Sequence, residues 1–210
     1  GIHGTNGTPP FVSRSVMMLY VIPQLLAGFE GVLPTSNDKK RISVFFNQTI
    51  KRLMAVRSCC SNAASYLLIG LMPIEAYMDT RILQLFGSVS TLRNTDPLNE
   101  VAKRQLSIPE KSKGWFTGAL DVAEKYGIME VAIQMLYGEL SKAHWKRAVN
   151  RAVKSKVYTE IINTCHASSS MKFLDLTKIQ YGKAHLLWPV KGDSRQRTAA
   201  TYRAKIITGT

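Results

Sequence analysis

The stretch NDKKRISVFFNQTIKRLMAVR, residues 37–57, decides the fold class. Its mostly apolar positions Ile42, Phe45, Phe46, Thr49, Ile50, Leu53 and Met54 fall at offsets 0, 3, 4, 7, 8, 11 and 12. That spacing is one continuous stripe on a helix of 3.6 residues per turn, and it does not fit the period-two alternation of a strand. Asn37 or Asp38 is the expected N-cap, because a short side-chain oxygen accepts from the first unpaired backbone N–H groups. Lys39, Lys40, Lys51 and Arg52 lie mainly off the stripe, so the segment reads as a core-facing helix with a basic outer face.

The same reading extends in both directions. Upstream, the first nine residues are Gly-, Thr- and Pro-rich and read as a loop, while residues 11–29 are helix-compatible with a break near Pro23. Downstream, Ser61 or Asn62 caps a short apolar helix that stops at Gly70, and Pro73 suits the first turn of the next. There Ile74, Tyr77, Met78, Ile82, Leu85, Phe86 and Val89 repeat the helical stripe. Pro97 opens a shorter segment, residues 108–114 have the composition of a linker, and helices are expected over 115–126 and about 129–140. Residues 142–162 carry a stripe of Trp145, Ala148, Val149, Ala152, Val153 and Val157, with basic residues opposite. A break at 168–170, a short helix to about 179, an irregular stretch over 184–192 and a last basic helix over 194–207 complete the chain. No segment alternates with period two between hairpin turns, so the fold class is all-α. The expected architecture is a helical bundle followed by further packed basic amphipathic helices, divided into residues 1–108 and 109–210.

Composition narrows the partners. The 210 residues include 28 Lys plus Arg against 14 Asp plus Glu, a formal charge of +14, and 45% are apolar, enough to bury a core. Such a charge repels itself unless it meets a polyanion. It is also clustered. Lys39, Lys40, Arg41, Lys51, Arg52 and Arg57 span residues 39–57 without an acid, and Lys142, Lys146, Arg147, Arg151, Lys154 and Lys156 span 142–156 likewise. A third group is Lys191, Arg195, Arg197, Arg203 and Lys205, opposed only by Asp193. Acids gather between, from Asp96 to Glu139. Clustering favours a phosphate-binding surface over uniform solubilisation.

Other function classes find little support. Three cysteines, two of them vicinal, are too few for a disulfide framework and point to a reducing compartment. The longest apolar stretches contain Pro23 or Pro73 and fall short of the roughly 20 residues a spanning helix needs, so no membrane is expected. The first stretch follows Arg14 in loose imitation of a signal peptide, and a core helix accounts for it as well. Cys165 beside His166 does not make a nucleophile–base pair, since neighbours on a helix diverge by about 100°. Neither Cys59-Cys60 nor Cys165-His166 has the ligand spacing of a zinc site, and no Gly-rich phosphate loop occurs. No catalytic residue, metal or cofactor is expected. Of the aromatic residues, Phe45, Phe46, Trp115 and Trp145 lie on apolar stripes and read as core, while Trp188 remains open as a stacking platform.

Two strings go beyond composition: GIHGTNGTPPFVSRSVMMLYVIPQLLAGFEGVLP, residues 1–34, and ASYLLIGLMPIEAYMDTRILQLFGSV, residues 64–89. In that order they resemble the region after the polymerase palm in reverse transcriptases of LINE-type (non-LTR) retrotransposons. The first carries Tyr20, Val21, Pro23, Leu25, Leu26, Gly28 and Glu30 of a Y-V-x-P-x-L-L-x-G-x-E stretch. The second carries Leu68, Gly70, Pro73, Ile74, Glu75 and Ala76, then Arg81, Leu83, Leu85, Phe86 and Gly87. The tail, with Arg197, Tyr202, Arg203 and Thr208-Gly209-Thr210, is similar to the basic helix before a terminal zinc knuckle in that family. Leu26-Ala27-Gly28 departs from the family's usual aromatic before the glycine, and no two aspartates are adjacent, so the polymerase signature is missing.

The resemblance implies a thumb and connector, non-catalytic by itself, cut from or surviving from a longer RNA-directed DNA polymerase. It would hold RNA, DNA or an RNA–DNA hybrid without sequence preference, in the nucleus or a cytoplasmic ribonucleoprotein, alongside the missing palm and zinc-knuckle regions. Residues expected to meet phosphates are Lys39, Lys40, Arg41, Lys51, Arg52, Arg57, Lys142, Lys146, Arg147, Arg151, Lys154, Arg195, Arg197 and Arg203. The alternatives are a domesticated helical scaffold or protein-interaction module, and, more remotely, a hydrolase or metal enzyme using Cys165, His166 or the other histidines.

Overall fold

The computed structural model describes residues 8–92, 96–107, 114–168, 171, 174–180, 182–188 and 194–208. Among them every regular element is helical, so the chain is all-α. Two compact units arise, each from separate stretches of chain: residues 1–25, 37–74 and 157–210 form the first, and residues 26–36 and 75–156 the second. This division follows packing, whereas the expected one at 108/109 follows composition. Of the expected linker, only Gly114 lies among the described residues.

In the first unit, α1 (Pro10–Val16) runs through a π-helical turn (Met17–Val21) into α2 (Ile22–Leu25). The π turn ends two residues before Pro23, which has no N–H for the i→i−4 ladder, and the Ile22 N–H reaches back five residues to the Met17 carbonyl. The expected break is therefore a local widening. Helix α3 (Ser36–Leu53) begins ahead of Asn37 and Asp38, so these stand in its first turn rather than at the cap, where Asp38 complements the helix dipole. Its buried side is Phe46 and Ile50, continued by Met54 just past its end. Phe45, expected in the core, is 56% exposed, because it lies about 140° round the helix from Ile50.

Helix α4 (Asn62–Ile69) is buried from Ala63 to its end and stops at Gly70, whose φ is +73°. A Cβ on Gly70 would come within 2.3 Å of the Lys183 backbone, so glycine is required there twice over. The chain over 182–188 is held there by polar contacts. The Leu68 carbonyl accepts from the His185 N–H at 2.9 Å and the Trp188 indole at 3.0 Å. Arg14 donates to the carbonyls of Gly70 and Gly182. Trp188 is only 4% exposed, which removes it as a stacking platform. Helix α10 (Ser194–Ile207) also belongs to this unit.

In the second unit, α5 (Ile74–Ser90, its first residue belonging to the other unit) is buried on more than one face. It is followed by α6 (Pro97–Ser107), α7 (Trp115–Lys125) and α8 (Met129–Leu136). Helix α8 ends short of the expected 140, the chain turning at Gly138 with φ +75°. The segment 26–36 is pinned to its unit by Arg81, which meets the Leu26 carbonyl at 3.1 Å and Glu30 at 3.3 Å, and by the Trp115 indole on the Glu30 carbonyl at 2.9 Å.

One buried charge anchors α5 to α7. Asp79 is fully buried, and its Oδ2 accepts from Lys125 Nζ at 2.7 Å and Tyr126 Oη at 2.8 Å, while Oδ1 has no partner. Removing one partner of a buried pair strands the other charge in low dielectric. Lys125→Met keeps the aliphatic stem and should lower the unfolding free energy by about 2 kcal/mol, below the full cost of a buried pair because the Lys125 side chain is 47% exposed. Urea denaturation of the full chain measures this, and an unchanged midpoint would show that water already compensates Asp79.

Candidate nucleic-acid interface

Helix α9 (Lys142–Ala167) is the longest element and carries the densest basic cluster. Its buried residues are Trp145, Val149, Val153, Val157, Ile161 and Cys165, one every four positions. Four residues advance about 400°, so this line drifts about 40° per step and winds round the helix. The winding carries the helix five residues past its expected end at 162. Over the first half of the line, the side opposite is occupied by His144, Arg147, Arg151 and Lys154, all exposed. These four share a face because offsets of 3, 4 and 7 residues return to the same side of a helix. Lys142 and Lys146 are exposed toward the flank.

Between the long side chains lies a concavity of about 180 Å³ lined by His144, Arg147, Ala148 and Arg151. The small Ala148 leaves the space, and two guanidiniums and an imidazole border it. Arg147 and Arg151 offer planar donor forks suited to phosphate oxygens. No acid occurs between Lys142 and Lys156, so nothing on this stretch competes for them. His144 belongs to the face by its helical offset, a signal the sequence holds but which searching for catalytic histidines passes over.

The other expected contact residues are placed less uniformly, and all belong to the first unit. On and after α3, Lys40, Arg41, Arg52 and Arg57 are exposed, while Lys39 and Lys51 are half-buried. Lys51 donates to the Ser58 carbonyl at 2.8 Å, a contact that folds the end of α3 onto the following turn. On α10 (Ser194–Ile207), Arg195 and Arg203 are exposed. Arg197 is half-buried, with its Nε buried and without a hydrogen-bond partner. Lys191 lies outside the described residues.

The cysteines and their neighbours give no nucleophilic arrangement. Cys165 is buried and His166 beside it is exposed, so the two diverge as helix geometry requires. Burial pushes the Cys165 thiol up to about 11, which keeps it protonated at neutral pH. Cys60 is also buried, with its sulfur 3.4 Å from Ser65 Oγ. Among the described residues, no three His, Cys, Asp or Glu side chains converge as metal ligands. Among the same residues, no helix is long and apolar enough to cross a membrane. Comparison with protein-family models, curated proteins and solved structures finds no match.

Proposed function

We propose that the chain is a non-catalytic nucleic-acid-binding module that holds RNA, DNA or their hybrid through phosphate contacts. The observation that carries this reading is the acid-free face of α9, where His144, Arg147, Arg151 and Lys154 stand exposed opposite a buried line. Contacts of this type fix a nucleic acid by its backbone and carry no sequence information. The resemblance of residues 1–34 and 64–89 to LINE-type reverse transcriptases supports the finer reading of a thumb and connector, with the palm and zinc knuckle supplied elsewhere. That assignment places it in the nucleus or a ribonucleoprotein.

The test is fluorescence anisotropy of the full chain with labelled single-stranded RNA, RNA–DNA hybrid and duplex DNA across a salt series. With about six phosphates contacted, log K should fall against log salt with a slope of about −4 to −5, with little dependence on sequence. Preference for the hybrid would favour the thumb reading. A slope near zero, or no binding by the folded chain at low salt, would overturn the proposal.

A further inference from the structure

A second surface has different chemistry. In the first unit, residues of α1 and the π turn on one side and of α3 on the other line a groove of about 370 Å³. One wall is Thr8, Ser13, Val16, Met17 and Val21, and the other is Phe45, Thr49, Arg52 and Leu53. Apolar side chains continue onto the surface around it: Val12 is 41% exposed, Val16 46%, Phe45 56% and Tyr20 68%. Patches of this kind on a soluble surface mark sites of association. Within the groove, the Ser13 hydroxyl is buried and has no hydrogen-bond partner.

The occupant follows from shape and charge. Two helical walls with apolar side chains between them seat the apolar side of a third helix, and an apolar surface reaching beyond the groove exceeds what a small ligand covers. The surrounding charge is of one sign. Residues 8–29 contain no Asp or Glu, and the only acid of α3 is Asp38, in its first turn. Arg41 and Arg52, four residues before and seven after Phe45, lie on the same side of α3 as that ring. Charge complementarity thus selects acidic edges on the incoming helix and disfavours basic ones. We propose that the groove between α1 and α3 docks an amphipathic helix with acidic edges from a partner polypeptide. This inference is independent of the phosphate-binding reading of α9.

The probe is a labelled synthetic amphipathic helix of about 18 residues, long enough for marginal helicity, with Leu along one side and Glu on both flanks. It is titrated with the full chain at moderate salt, beside a scrambled peptide of the same composition and a version with Lys flanks. The Glu-flanked helix should bind at least about tenfold tighter than either control, a difference of about 1.4 kcal/mol. Val16→Ser with Phe45→Ser, both at exposed positions, should weaken it at least tenfold without lowering Tm or changing the protein's charge. Equal binding of the scrambled peptide would overturn the proposal in favour of diffuse attraction to a basic protein. Displacement of the probe by laurate at comparable affinity would assign the groove to a small amphiphile. Concentration-dependent dimerisation abolished by the same double variant would assign it to a second copy. Either result would also overturn the proposal.

Discussion

Trp145→Ala should be among the most destabilising single substitutions in the chain, lowering the unfolding free energy by about 4 kcal/mol. The indole is 2% exposed, lies 5.7 Å from the Phe86 ring, and donates its N–H to the Leu83 carbonyl at 2.8 Å. It reaches that carbonyl because Gly87, one turn further along α5, has no side chain. A Cβ there would fall 2.1 Å from Trp145 Cδ1, closer than atoms tolerate. Gly87→Ala therefore sets two effects against each other. Helix propensity favours Ala by about 1 kcal/mol, but a rigid buried ring cannot step aside, and overpacking costs about 1–3 kcal/mol. The clash is expected to win. A double-mutant cycle isolates it: with Trp145 already truncated, Gly87→Ala should become neutral or stabilising, since only propensity remains. Equal effects of Gly87→Ala in the two backgrounds, measured by urea denaturation, would show that the indole does not press on this glycine. The contact bears on function too, because the side of α9 that Trp145 buries determines which side Arg147, Arg151 and Lys154 present to solvent.

Helix boundaries governed by local chemistry were legible in the sequence. The limits of α10 and the stop of α4 at Gly70 agree with the residue pattern, since capping and φ preference act within a few residues. What depends on distant chain was not legible. Phe45 shares the period of a buried stripe, yet the centre of that stripe is set by the elements covering Phe46, Ile50 and Met54, and Phe45 falls outside it. Trp188 sits beside Pro189 in irregular sequence, and only the return of its segment to Leu68 buries it. The winding line on α9 was half visible. A stripe sought at fixed orientation finds Trp145 to Val157 and misses the continuation to Cys165. For the candidate interface, basic residues are legible because Lys and Arg stay near water, whatever the fold. Their partial withdrawal is not, and Lys39, Lys51 and Arg197 look no different in sequence from Lys40 or Arg203. The groove between α1 and α3 was missed because its Phe and Val residues resemble core until their neighbours are known.

Reversing the charge at Arg147, Arg151 and Lys154 together should weaken binding to RNA or hybrid by more than about a hundredfold near 0.1 M salt and flatten the salt slope by about 3. Seven residues of helix separate the first from the last, about 10 Å along the axis. A duplex presents about one charge per 1.7 Å, so that length of backbone holds a separate phosphate for each of the three cations. Glutamates there both remove the contacts that release counterions and repel the backbone. All three positions are exposed and lie opposite the buried line, so Tm should be unaffected. Net charge alone also attracts polyanions, and it falls from +14 by 6 to +8 in this variant. The comparison is Lys103→Glu with Arg104→Glu on α6, which lowers the charge by 4 to +10 at exposed residues outside the proposed contact set. If attraction were diffuse, the two variants would weaken binding roughly in proportion to charge removed, and the slope would respond to both. If phosphates dock on α9, the α6 variant should keep most of the affinity and nearly all of the slope. A triple variant that retains the parent's slope would remove α9 from the interface, whatever else in the chain binds nucleic acid.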